Sequence, residues 1–73
     1  MHPIAQYRRV KGWTQADLAQ QVGVVWQSAQ AWEQGAMPRP KVFRRLAEAL
    51  EVDPLQLHRE LAAWQKEKEP ATA

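Results

Sequence analysis

The 73-residue sequence predicts an all-α domain, a compact arrangement of five short helices. Three observations lead there. Non-polar residues recur at intervals of three and four along successive stretches, the repeat of a half-buried helix. Proline, threonine, aspartate and glycine fall where those stretches begin and end. The chain has no cysteine, so a domain this small must pack its helices efficiently or gain burial from a partner, without disulfides or thiolate metal sites.

The first helix is expected from Pro3 to about Lys11. Proline suits a first-turn position because its missing N–H would have no partner there, and Gly12 ends the helix. Ile4, Tyr7 and Val10 fall at i, i+3 and i+6 and are read as its apolar face, with Arg8 beside them. Thr14 opens the second helix, its hydroxyl accepting from a backbone N–H of the first turn. Leu18, Ala19 and Val22 form one buried stripe, and Gly23 leaves the helix with a positive φ, which glycine adopts without a Cβ penalty. In the third helix, to about Gln34, Val24, Ala29 and Trp32 face inward together. Trp26, Gln27, Gln30, Ala31 and Gln34 are left toward solvent or a ligand. Two helices this short bury too little alone, so the others must cover them.

After Gly35, the prolines of AMPRPK restrict the approach to a fourth helix that Pro40 begins. It runs to Leu50, buries some of Val42, Phe43, Leu46, Ala47 and Leu50, and shows Lys41, Arg44 and Arg45 outside. Glu51 stands where glycine or asparagine often closes a helix, and a left-handed residue there costs roughly 1 kcal/mol. Asp53 and Pro54 read as a cap and a first-turn proline for a fifth helix with Leu57, Leu61 and Trp64 as its stripe. The domain is expected over residues 1–65, with KEKEPATA, residues 66–73, as a fraying tail.

Net charge is only +2, but it is unevenly spread: residues up to 45 carry +5 and those from 46 onward carry −3. The basic half contains the helix pair around Gly23, as phosphate binding requires. No apolar run approaches a membrane span and the start lacks a signal-peptide core, so a soluble, cytoplasmic chain is expected. His2 and His58 are far apart and read as solvated surface side chains rather than metal ligands. No Gly-rich phosphate loop, metal cluster or Ser/His/Asp set supports an enzyme, and no cofactor or small-molecule effector is implied.

The order of five helices, with RRVKGWTQADLAQQVGV, then WEQG, then ALEVDPLQL, resembles the Cro/CI-type helix-turn-helix family, lambda repressor-like domains, over residues 4 to about 61. The run from PRP through ALEVDPLQL is most similar in look to the Cro and CI repressors of lambdoid phages. The resemblance implies that helices two and three form the helix-turn-helix and that the partner is double-stranded DNA, held by a homodimer. It implies base-reading positions at Val25, Trp26, Gln27 and Ala31, and phosphate contacts at Gln15, Ser28, Arg39 and Lys41. Arg8 and Glu33 match a structural ion pair between the first and third helices. Leu55 and Gln56 match positions near the two-fold axis, a surface that Trp64 can extend unless it covers the domain's own underside. Trp13 and Trp32 match core positions.

The sequence also departs from the family's pattern. Val25 stands where serine or threonine is usual, so the third helix loses a side-chain cap worth ~1 kcal/mol. Trp26 offers one donor and no acceptor, and Ala31 only a methyl group. Gln27 alone among the reading positions keeps bidentate hydrogen bonding, with adenine its commonest partner. Few direct base hydrogen bonds and some dependence on DNA shape are therefore expected. An antitoxin-type or restriction-control regulator would use the same domain. Val25, Trp26 and Ala31 together also fit an apolar patch for a protein partner, and Trp26 can alternatively tuck into the core.

Overall fold

The computed structural model describes residues 2–68. Five helices follow one another: α1 (Pro3–Val10), α2 (Gln15–Val22), α3 (Trp26–Glu33), α4 (Pro40–Leu50) and α5 (Pro54–Lys68). α2 packs on α3 and α4, α4 on α5, and α1 lies across α3 and α5. The shared core holds Ile4, Leu18, Ala19, Val22, Ala29, Trp32, Leu46, Ala47, Leu50, Leu57 and Leu61, with Trp13, Val24, Val42 and Phe43 packed partly buried at its edge.

Local chemistry explains where α2 and α5 start and where α2 and α4 end. Thr14 and Asp17 form a reciprocal capping box: Thr14 Oγ1 accepts from the Asp17 N–H at 3.1 Å, and Asp17 Oδ2 accepts from the Thr14 N–H at 2.9 Å. Asp53 Oδ2 accepts from the Gln56 N–H at 3.1 Å and so caps α5 ahead of Pro54. Gly23 closes α2 in the left-handed region at φ 85°, and Glu51 closes α4 there at φ 57° despite carrying a Cβ. Lys11 Nζ forms an ion pair with that same Glu51 and lies 5.4 Å from the centre of the Trp13 ring, which ties the end of α1 to the end of α4.

Three features of the sequence reading are corrected. Val10 is 86% exposed and takes no part in the apolar face of α1, which is made by Pro3, Ile4 and Ala5 with Tyr7 partly buried. The reason is angular: at 100° per residue, a position six along is turned about 120° away from the first. His2 is buried rather than solvated; its Nδ1 accepts from the Ile4 N–H at 3.1 Å, so an imidazole serves as the cap of α1. α5 runs to Lys68, three residues into the stretch read as a fraying tail, because Ala62, Ala63, Gln65, Lys66 and Glu67 include good helix formers and Gln65 is held from outside the helix. The remaining tail positions, 69–73, lie outside the described residues.

Trp64, read from sequence either as a cover for the domain's own underside or as a dimer contact, is partly buried within its own domain. Its ring meets His2 edge-on, and its edge would lie 3.6 Å from a Cβ placed on Gly35. One residue on, Gln65 Nε2 donates to the Gly35 carbonyl at 2.6 Å. The turn after α3 is thus fastened to the last turns of α5.

Candidate nucleic-acid interface

The exposed side of α3 begins with large apolar groups. Val25, the residue preceding the helix, is 65% exposed and supplies no side-chain cap bond; Trp26 is 45% exposed and so is not core. Gln27 and Gln34 are exposed, whereas Ser28, Gln30 and Ala31 are half-buried. With no Oγ at position 25, the first-turn amides of α3 have no side-chain acceptor from the capping residue. The helix therefore presents a mixed surface: an indole and a valine at its start, then a carboxamide one residue on.

Cationic groups flank this face on the side of the turn. Arg39 precedes α4, its carbonyl accepting from the Phe43 N–H at 2.6 Å, and its side chain is exposed between Pro38 and Pro40. A cleft of about 380 Å³ lined by Val24, Ser28, Trp32, Met37, Pro38, Arg39 and Val42 brings Ser28 of α3 together with Arg39 of the turn. Lys41, Arg44 and Arg45 share a second cleft on α4 in which Glu48 is the one carboxylate. Arg45 also reaches the α2–α3 turn, its guanidinium lying 3.9 Å from where a Cβ on Gly23 would sit. The sequence placed Arg44 and Arg45 outside α4 but gave them no role. The signal was there in the KVFRR spacing, which sets Lys41 with Arg44 and Arg45 at i, i+3 and i+4 on one side of a helix.

Behind the exposed face lies a part-buried polar knot. Arg8 Nε donates to Glu33 Oε2 at 2.8 Å, Arg8 Nη2 to Glu33 Oε1 at 3.1 Å, and Arg8 Nη1 to the Trp13 carbonyl at 2.8 Å. Gln15 Nε2 donates to the same Glu33 Oε1 at 3.1 Å. Three helices meet at this carboxylate. Gln15 is therefore already engaged within the protein through one of its two amide N–H groups.

The dimer candidates divide. Leu55, 58% exposed, and Gln56 stand on the outer side of the first turn of α5, whereas Trp64 is partly buried against its own chain. Among the described residues no three His, Cys, Asp or Glu side chains gather to hold a metal, and no helix is long and apolar enough to cross a membrane.

A family model described as helix-turn-helix matches residues 4–57, about three-quarters of the chain. Neither the curated proteins nor the solved structures return a match.

Proposed function

Because the chain belongs to the Cro/CI-type helix-turn-helix family, whose members are DNA-binding regulators, we infer that it is a cytoplasmic repressor holding a two-fold-symmetric operator as a homodimer. Each subunit lays α3 in the major groove, and the two half-sites lie about one helical turn, ~34 Å, apart. Gln27 reads a base edge, while Val25, Trp26 and Ala31 supply apolar contact to thymine methyl groups or the groove wall. Gln15, Ser28, Arg39 and Lys41 take phosphates and set the register. Leu55 and Gln56 meet their copies at the two-fold axis.

The observation that carries this reading is the exposure of Trp26 and Gln27 on α3 together with the exposed cations Arg39, Lys41, Arg44 and Arg45 on the following turn and helix. An apolar side chain of that size left in solvent at the head of a helix, in a domain whose Arg39 shares a cleft with Ser28 of that helix and whose Arg45 reaches the turn before it, fits a partner that is both anionic and contoured. The experiment is selection of bound sequences from a random duplex pool, with the affinity of the winner followed against salt. Enrichment of a two-fold-symmetric site whose binding falls steeply with salt supports the reading. Salt-sensitive binding without enrichment reduces it to a non-specific DNA binder. Absence of DNA binding transfers the exposed Val25 and Trp26 to a protein partner, and in that case Trp26→Arg abolishes the partner's binding instead of altering a base preference.

A further inference from the structure

Glu33 sits at the end of the reading helix, and a carboxylate there faces the wrong way electrostatically for a protein that approaches phosphates. Its burial and its partners give it another task. Arg8 takes both of its oxygens, and Oε1 accepts a further hydrogen bond from Gln15 Nε2 at 3.1 Å. An ionised carboxylate only accepts, so the Gln15 amide must turn its nitrogen toward Glu33 and its oxygen away. One N–H of that amide is consumed by Glu33, and the other has no partner among the described residues.

Gln15 is the first residue of α2, where the Asp17 N–H is taken by Thr14 Oγ1 and the Leu18 N–H by the Thr14 carbonyl. The N–H groups of Gln15 and Ala16 precede the first intrahelical bond and have no partner within the helix. Because Gln15 is the first residue of α2, its carboxamide hangs from the same helix end as these two backbone donors. Reversing the amide would set its oxygen against the Glu33 carboxylate, two acceptors with no proton between them.

We propose that Glu33 is a positioning residue for DNA binding: held by Arg8, it fixes the Gln15 carboxamide with a donor presented at the start of α2 for a DNA phosphate. The proposal rests on the reading of Gln15 as a phosphate contact given above and adds what makes that contact possible. It inverts the effect expected from charge alone. Simple repulsion makes loss of the Glu33 carboxylate favourable to DNA binding, whereas positioning makes its displacement unfavourable.

The test is a double-mutant cycle on the full chain, using Gln15→Ala and Glu33→Asp, with binding to a mixed-sequence duplex at low salt as readout. Glu33→Asp keeps the charge for Arg8 but shortens the reach to Gln15 by one methylene, and circular dichroism checks that it folds. Should it unfold, Glu33→Met with Arg8→Met, which removes both charges of the pair together and the acceptor for Gln15 with them, takes its place in the cycle. Each single change is expected to weaken binding roughly 10- to 100-fold, the effect of one hydrogen bond to a charged group, and the double variant to bind no more weakly than Gln15→Ala alone. If the Glu33 change lowers affinity by the same factor with and without Gln15, its role is structural and the proposal is overturned. It is equally overturned if displacing Glu33 leaves binding unchanged or strengthens it. A Gln15→Ala variant that binds as well as the parent overturns the phosphate reading of Gln15 itself, and a parent that ignores DNA overturns the proposed function.

Discussion

The imidazole of His2 and the indole of Trp64 meet edge to face, with ring centroids 4.4 Å apart and planes inclined at 69°. One ring caps the first helix and the other belongs to the last, so this contact joins the two ends of the described chain. Replacing His2 by alanine removes both the acceptor for the Ile4 N–H and a ring from beside Trp64. The expected loss is about 1–2 kcal/mol of folding free energy, read from urea unfolding. His2→Asn, which retains a cap acceptor but no ring, should lie between. Equal stability of the alanine variant and the parent would show that neither contact contributes.

Tyr7 gives an alkaline signature. Its hydroxyl donates to Glu60 Oε1 at 2.5 Å; that bond first, then burial and the Glu60 charge, raise its pKa above the ordinary 10.0, with Gln56 opposing. The fold favours the protonated phenol, so the contribution is complete below pH 10.0 and declines as pH rises from there through the folded value. Since this is the chain's one tyrosine, an ultraviolet titration reports it alone. Titration at the ordinary value in folded protein would mean that Glu60 does not hold it. Tyr7→Phe should remove this part of the alkaline loss of stability.

Arg39→Ala removes one proposed phosphate contact and no base contact. Binding should weaken by a similar factor on every duplex, and the slope of log affinity against log salt should shrink by roughly 1. A changed base preference would assign Arg39 to a groove instead.

Gln27→Ala should cost ~1–3 kcal/mol on the selected site and relax preference at a single base pair. Repeating the duplex selection with the variant shows both effects at once. Unaltered affinity and preference would leave the reading to Trp26, Val25 and DNA shape.

What the sequence made legible was whatever one helix decides by itself. Thr14, Gly23, Pro40, Asp53 and Pro54 mark ends through their own backbone and capping chemistry, and the structure has helix ends at each of them. The exposure of Trp26, Gln27 and Gln34 on α3 follows from its short apolar stripe in the same way, whereas Gln30 and Ala31, placed outside by the same stripe, are half-buried. Errors began where a residue's surroundings come from elsewhere. His2 reads from sequence as a solvated surface side chain, although the proline immediately after it already marks it as the position before a helix. The bonds from Tyr7 to Glu60, Lys11 to Glu51 and Gln65 to Gly35 span 53, 40 and 30 residues, and no local spacing encodes such partners. For Gln15 the residue was visible but its restraint was not. The hydrogen bond to Glu33 depends on the angle at which α2 meets the end of α3.

The brace from Gln65 and Trp64 to Gly35 has a practical consequence for anyone shortening this chain. The family match ends at residue 57, so a chain cut after Ala63 would keep every matched position and still carry Arg39, Lys41 and the whole of α3. It would nevertheless release the loop on which Arg39 stands from the far helix that anchors it. The stretch of chain that holds this loop in its native geometry is thus longer than the signature by which its kind is identified.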